Sequence, residues 1–171
     1  MANWIPAENS PIESELITQS TEKILVPACF YSSSPEETMA IGERIAGFLA
    51  INSILALRGP LGAGKTCFVK GIARFLDVEE EITSPSYTIV SEYEGKLNGQ
   101  SIPLFHIDAY RLCGDDDFYY LGGEEYLYGQ GISVVEWSER IPYSLPAETW
   151  HVELEMNSNN QRIIRMYGAG L

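Results

Sequence analysis

The spacing of apolar and polar residues changes period several times along the first half of the chain. Short apolar runs at residues 24–31 and 54–57 predict β-strands, and Pro27 suits the first of them to a sheet edge. Between the two runs, Ser34-Pro35-Glu36-Glu37 has the pattern of a capping box, and apolar residues follow it at helical spacing. This pattern predicts a helix over residues 35–50, and the apolar stripe after Lys65 predicts a second one.

The second half of the chain is dominated by strand-like runs. Residues 88–93, 102–107 and 132–137 predict three strands, with a helix or turn around residues 117–128. Alternating runs at 151–156 and 162–167 predict a closing hairpin. Together the elements predict one α/β domain at residues 21–171, with a mostly parallel sheet flanked by helices and antiparallel strands at the C-terminal end. Residues 1–20 are expected to form a loose lead-in.

The net charge of the chain argues against nucleic acid as a direct partner. The 171 residues carry 11 Lys and Arg against 24 Asp and Glu, a formal net charge of −13. A protein that binds nucleic acid directly needs cations to neutralise phosphates, so any role near RNA is expected to pass through a partner protein. Hydrophobic residues make up 45% of the chain, which excludes a disordered protein.

The chain is expected to be cytoplasmic. It has no apolar run of about 18 residues that would span a membrane, and its N-terminal residues lack the basic start and apolar stretch of a secretory signal. Cys29, Cys67 and Cys113 are scattered without metal spacing, which predicts reduced and mostly buried thiols.

The residues between the second predicted strand and the second helix match a phosphate-binding motif. Residues 59–66 read GPLGAGKT, which fits G-x-x-x-x-G-K-[ST] without a substitution. Its glycines allow a tight turn whose backbone N–H groups surround phosphates, and the helix that follows adds its positive end. Lys65 is expected to reach the β- and γ-phosphates, and the Thr66 hydroxyl to bind Mg²⁺. The motif and its context predict a P-loop domain that binds a nucleotide with magnesium, and Mg-ATP is the expected ligand.

Two carboxylates end predicted strands and are candidates for the metal site. Mg²⁺ prefers oxygen ligands, and in P-loop proteins a carboxylate at the end of a neighbouring strand often helps to hold it. Glu136 follows the apolar run 132–135 and is predicted to bind the metal or orient the attacking water. Asp108 follows the run 102–107 and is predicted to lie near the metal. The alternative for each is a solvated residue at a strand end.

Several residues close to these carboxylates have two interpretations. His106 is either a base or a core histidine, and because it shares a strand face with Asp108, an orienting role in the site is also open. Arg111 either contacts phosphate or forms an ion pair, and Trp137 either covers the nucleotide or packs in the core. The acidic clusters at 79–81 and 115–117 are interpreted as solvated surface.

The order of these motifs resembles the TsaE family, the bacterial ATPase of threonylcarbamoyladenosine modification of tRNA. The resemblance covers residues 30–145 and depends on GPLGAGKT, Ser84-Pro85-Ser86-Tyr87, HIDAYR at 106–111 and VVEWSER at 134–140. It implies a single P-loop α/β domain that binds ATP or ADP with magnesium, hydrolyses ATP slowly and acts with two proteins, TsaD and TsaB. The chemistry on tRNA then belongs to TsaD, so this chain meets tRNA only indirectly.

The resemblance also implies roles for individual residues. Lys65, Asp108 and Glu136 would be catalytic, Thr66 and Glu136 would bind magnesium, and Ser84 to Tyr87 would form a switch-like loop. His106, Tyr110, Arg111 and Trp137 would line or support the site. The residues expected to contact the nucleotide are Gly59, Pro60, Leu61, Gly62, Ala63, Gly64, Lys65, Thr66, Cys67, Ser86 and Trp137.

This chain departs from the family pattern at two positions. Ser86 stands where the family usually has Thr, which keeps the hydroxyl but leaves the loop geometry open. Pro60 stands where the family often has Asp, at a position that supplies mainly backbone.

Three other functions are compatible with a phosphate-binding loop. A small-metabolite kinase is the main alternative, although 58 residues precede the loop and few basic residues are present for a lid. A GTPase is disfavoured because the guanine-reading pattern N-K-x-D is absent. A non-catalytic protein that keeps its nucleotide as a structural plug is the third.

Overall fold

A computed structural model describes residues 27–85 and 87–168. The predicted lead-in at residues 1–20, the start of the first predicted strand and Ser86 lie outside the described residues. The described part of the chain contains seven strands: β1 Ala28–Ser32, β2 Ile54–Arg58, β3 Val90–Leu97, β4 Gln100–Asp108, β5 Ile132–Glu136, β6 Trp150–Met156 and β7 Arg162–Gly168. Its α-helices are α1 Pro35–Ala46, α2 Lys65–Phe75, α3 Asp115–Tyr120 and α4 Gly123–Leu127. Short 3-10 turns occupy Ala109–Arg111 and Ser138–Arg140.

The strands form one sheet in the order β1-β7-β6-β2-β5-β4-β3. The four middle strands, β6, β2, β5 and β4, are parallel, and the pairs at both margins are antiparallel. The predicted α/β fold is therefore confirmed, with β1 at the edge and β6–β7 as the closing hairpin. A second antiparallel hairpin, β3–β4, was not predicted. Asn98 and Gly99 form its turn with φ of 53° and 80°, the left-handed conformation that short hairpin turns need.

Helices cover the two faces of the sheet. α1 and α2 pack on one face, where Ile41, Ile45, Phe68 and Ile72 join β-strand residues such as Leu57 in the larger core. On the other face, Phe118 of α3 and Leu127 of α4 pack with Ile107 and Val135. None of the described helices combines the length and apolar content needed to cross a bilayer.

α1 begins where the capping sequence predicts and ends earlier than expected. Ser34 accepts a hydrogen bond from the Glu37 amide, and the Glu37 carboxylate accepts one from the Ser33 amide. The helix ends at Ala46 rather than near residue 50, with Gly47 as its C-cap. Leu49 is nevertheless buried, because the turn that follows folds back onto the core.

The backbones of α1 and α2 are in close contact at two glycines. A Cβ atom at Gly71 would overlap the carbonyl oxygen of Met39, and a Cβ at Gly42 would overlap the carbonyl oxygen of Phe68. The helices run side by side with their N-terminal ends together, since Pro35 touches Cys67 and Gly47 faces Phe75. This contact sets the position of the start of α2, where the phosphate-binding motif lies.

Candidate functional site

The motif at residues 59–66 connects β2 to α2 at the carboxyl end of the parallel strands. Gly59 and Gly64 have φ of 145° and 103°, a region that side chains other than glycine rarely adopt. A Cβ at Gly59 would also overlap the carbonyl oxygen of Leu154 on β6. Both the backbone conformation and the lack of space therefore require glycine at this position. The strand–loop–helix context predicted for the motif is therefore present, as a phosphate-binding loop requires.

Lys65 is folded against the loop that precedes it. Its ammonium donates hydrogen bonds to the carbonyl oxygens of Gly59 at 2.7 Å and Pro60 at 3.1 Å, and lies 3.8 Å from the centre of the Trp137 ring. Burial lowers the pKa of Lys65, and the nearby carboxylates of Glu136, Glu139 and Asp108 oppose that shift. The lysine is thus already held among carbonyl oxygens and an aromatic face inside the site.

Thr66 and Glu136 meet across a large separation in sequence. The Thr66 hydroxyl donates a hydrogen bond of 2.8 Å to Oε1 of Glu136, and the same oxygen lies 2.9 Å from Nε2 of His106. Glu136 and His106 are both buried, on the adjacent parallel strands β5 and β4. The structure therefore gives His106 a contact with Glu136 rather than with Asp108, and that contact fixes the orientation of the Glu136 carboxylate.

Asp108 lies beside Glu136 in the register of β4 and β5 and is also buried. Its carboxylate accepts hydrogen bonds from the Ser84 hydroxyl at 2.7 Å and from the Tyr110 amide at 3.0 Å. The first bond attaches the segment after α2 to the site, and the second caps the 3-10 turn at Ala109–Arg111. Asp108 therefore connects the end of β4 to Ser84, at the start of the predicted switch-like loop.

Aromatic side chains form one wall of the site. Trp137 has φ of 57°, a left-handed conformation that is uncommon outside glycine, and its ring lies 4.9 Å from the ring of Tyr110. Arg111 lies 4.4 Å from the ring of Tyr87, so its observed contact is aromatic rather than a carboxylate pair. The sequence analysis did not predict this aromatic contact, and a phosphate contact of Arg111 stays a prediction.

Arg162 is the functional candidate that sequence analysis missed. Its Nε would lie 3.0 Å from a Cβ placed on Gly64, and in the structure this nitrogen is buried without a hydrogen-bond partner. Arg162 begins β7, and nothing in the local pattern of that strand places it next to a loop almost a hundred residues earlier. It adds positive charge against the phosphate-binding loop of an acidic protein.

The side chain of Cys67, the third residue of α2, is partly buried. Its thiol donates a hydrogen bond to the Pro35 carbonyl oxygen, and burial raises its pKa, with Arg162 and Lys70 partly opposing that shift. Cys29 is buried and Cys113 is exposed. The three thiols are free, as the sequence predicts, but the expectation that most of them are buried is wrong, since only Cys29 is buried.

Cys113 is expected to react with iodoacetamide several times faster than Cys67 at about pH 7.5. The raised pKa of Cys67 lowers its fraction of thiolate, and its partial burial limits access of the reagent. Mass spectrometry of the cysteine peptides over time measures the two rates. Since a raised pKa delays thiolate formation, the Cys67 rate should continue to rise at higher pH. Equal rates for the two thiols at about pH 7.5 would contradict the described packing of Cys67.

The chain is similar in sequence and in structure to known proteins. The family model described as "Threonylcarbamoyl adenosine biosynthesis protein TsaE" matches residues 32–164. The chain is 41% identical over 133 residues to the tRNA threonylcarbamoyladenosine biosynthesis protein TsaE of Treponema pallidum, covering 78% of this chain and 95% of that protein. It is 39% identical over 137 residues to the protein of the same name from Bacillus subtilis, covering 80% and 83%. Among solved structures, the crystal structure of Bacillus subtilis YdiB matches with a TM-score of 0.69 and 34% identity, covering 87% of this chain and 90% of that one.

Proposed function

The chain belongs to the TsaE family, and on that premise we propose that it binds ATP or ADP with magnesium, hydrolyses ATP slowly and acts in threonylcarbamoyladenosine modification of tRNA. The observation that carries the nucleotide part of this proposal is the 2.8 Å contact between Thr66 and Glu136 beside Lys65. It joins the hydroxyl of a phosphate-binding loop to a carboxylate at the end of an adjacent parallel strand, which is the arrangement of P-loop NTPases.

The residues present fit a magnesium ion that is shared with phosphates. A hydroxyl and a carboxylate are the oxygen donors that magnesium accepts, and magnesium usually completes its shell with water and phosphate. No group of three or more His, Cys, Asp or Glu side chains suited to a metal occurs within residues 27–85 and 87–168, so a protein-only metal cage is not part of the proposal. Thr66 and Glu136 would hold the ion, which when bound would neutralise charge on the phosphates.

The side chains of this site divide the remaining work. Lys65 exchanges its contacts with the Gly59 and Pro60 carbonyl oxygens for phosphate oxygens, over a distance that its flexible side chain covers. His106 keeps the Glu136 carboxylate in one orientation through the 2.9 Å contact. Asp108 holds Ser84 close to the site. Trp137, which lies under the Lys65 ammonium, excludes water from one side.

Slow turnover is supported by the contacts of the nearby arginines. Fast P-loop hydrolysis uses an arginine that stabilises charge in the transition state. Here Arg111 lies on Tyr87, and Arg140 lies 5.8 Å from the Tyr110 ring. We therefore propose hydrolysis that is slow in the isolated chain.

The proposed partners are the proteins TsaD and TsaB, with tRNA reached only through them, in the cytoplasm. Support comes from the family role and from the net charge of −13, which disfavours direct contact with an RNA backbone. A pull-down of TsaD and TsaB with and without ATP tests this part. Association that depends on nucleotide is expected, and an absence of association under every nucleotide condition would remove the pathway role.

Lys65→Met is expected to weaken the affinity for Mg-ATP by about 10- to 100-fold, because hydrogen bonds to charged groups contribute about 1.5–3 kcal/mol each. Isothermal titration calorimetry with ATP and ADP measures the change. Lys70→Met is the matched control, since Lys70 is an exposed lysine on the same helix. Unchanged affinity in Lys65→Met would refute the nucleotide site proposed here.

A further inference from the structure

The helices α3 and α4 expose a group of tyrosines that the core does not use. Tyr119, Tyr120 and Tyr128 are 64%, 84% and 66% exposed, and Leu121 is 50% exposed. The apolar anchoring of these helices comes instead from Phe118 and Leu127, which are fully buried. The rings of Tyr119 and Tyr120 lie 5.9 Å apart, and exposed apolar side chains grouped on neighbouring elements often mark a protein interaction site.

The three consecutive aspartates at the start of α3 have different roles. Asp115 accepts hydrogen bonds from the amide and hydroxyl of Ser144, and Asp117 accepts one from the Cys113 amide. Asp116 is exposed, as are Glu124 and Glu125 in the first turn of α4. Two of the three aspartates therefore hold the local fold, which the interpretation of the cluster as solvated surface did not predict.

The exposed carboxylates and tyrosines are spaced by one helical turn. Asp116 and Tyr120 are four residues apart on α3, and Glu124 and Tyr128 are four residues apart at α4, where the Tyr128 amide donates to the Glu124 carbonyl oxygen. Residues at this spacing lie on the same side of a helix. Each pair combines a negative group with an aromatic ring, which are the two groups that bind an arginine or lysine side chain through charge and cation–π contact.

The charges on α3 and α4 themselves are of one sign. Residues 115–128, which span both helices, contain five Asp and Glu and no Lys, Arg or His. Two copies of this chain would bring like charges together if they met through this face, and an RNA backbone would meet no cation on it. A basic protein surface is the occupant that fits.

We propose that the exposed side chains of α3 and α4 form a docking surface for a lysine- and arginine-rich face of a protein in the transferase complex. The surface consists of Asp116, Tyr119, Tyr120, Leu121, Glu124, Glu125 and Tyr128. This inference rests on the proposed function, because it assigns the place where that complex binds. The tyrosines supply contact area at a low cost in conformational entropy, and the carboxylates favour a partner surface of positive charge.

The double variant Tyr120→Ser/Tyr128→Ser is expected to bind the purified TsaB–TsaD complex at least about tenfold more weakly than the unmodified chain, since exposed tyrosines are enriched among residues that dominate interface affinity. Surface plasmon resonance measures Kd and its salt dependence. Asp116→Asn/Glu124→Gln should mainly slow association and flatten the salt dependence. Because all four side chains are exposed, circular dichroism and ATP affinity should be unchanged in both variants.

A matched control separates this surface from exposed acidic residues in general. Glu79→Gln/Glu80→Gln neutralises a different exposed acidic cluster and should not change the Kd. If the unmodified chain binds the complex and the tyrosine variant binds equally well, the docking surface is wrong and the proposed function stands. If the unmodified chain fails to bind at all, the proposed partnership fails and this inference fails with it. Loss of self-association in the tyrosine variant, seen by analytical ultracentrifugation, would instead identify a second copy of the chain as the occupant and overturn the proposal.

Discussion

Glu136→Gln is expected to lower the rate of ATP hydrolysis by about 100-fold or more, the range typical for removing a group that positions or deprotonates a reactant. The amide has the size of the carboxylate, so the contacts with Thr66 and His106 can be kept while the negative charge is lost. That charge is what would hold magnesium beside Thr66. The rate of phosphate release, measured at saturating ATP and magnesium, tests the expectation.

Glu139→Gln is the control for Glu136. Glu139 is three residues away and exposed, and it also acts on the charge of Lys65, so its removal tests a general electrostatic effect. We expect Glu139→Gln to change the hydrolysis rate by less than about threefold, as usual for a solvent-screened charge. Equal rates in Glu136→Gln and the unmodified chain would show that this carboxylate takes no part in turnover. A plug-like role for the nucleotide would follow if Glu136→Gln abolished hydrolysis while a strain depending on this protein still grew normally.

Gly71→Ala is expected to destabilise the protein by about 3 kcal/mol or more, at the upper end of the effect of overpacking. The added Cβ would overlap the Met39 carbonyl oxygen and lie 2.8 Å from the Glu43 amide nitrogen, and both belong to the backbone of α1. Backbone cannot rotate away as a side chain does, so α1 and α2 have to separate. Thermal unfolding followed by circular dichroism should show a decrease in Tm on the order of 10 °C.

Gly114→Ala is the corresponding control. Gly114 has an extended backbone, and no atom lies within 4 Å of a Cβ placed there. Its unfolding temperature should stay within about 2 °C of the unmodified chain, since surface substitutions usually change stability by less than about 0.5 kcal/mol. A Gly71→Ala protein as stable as Gly114→Ala would contradict the close contact between the helices.

Local patterns were sufficient to predict most of the elements. The capping box predicts the start of α1 because its hydrogen bonds involve residues 33–37 alone. The phosphate-binding loop follows from eight adjacent residues with strand before and helix after. Strand runs such as 132–137 are identified because both faces of a central parallel strand are buried, as they are in β5.

Features that depend on long-range packing were not predictable in the same way. Strand order is set by how β6 packs beside β2, and no local pattern records that neighbour. Arg162 reaches the loop only because the β6–β7 hairpin folds beside it. The β3–β4 hairpin was missed for a different reason: Asn98-Gly99 is a strong turn signal, and the strand was assigned too early, at 88–93 instead of Val90–Leu97.

The contact of Gly42 and Gly71 also determines which parts of the molecule can respond to a ligand. Two helices whose main chains touch cannot slide or tilt past each other, so the face of the sheet that carries α1 and α2 behaves as a single rigid body. A difference between the ATP- and ADP-bound forms would then have to be transmitted through the opposite face, where Asp108 and Trp137 lead into the 3-10 turns and α3. The two faces of the sheet would thus have different roles: the face with α1 and α2 would hold the phosphates in place, and the opposite face would change conformation with the bound nucleotide.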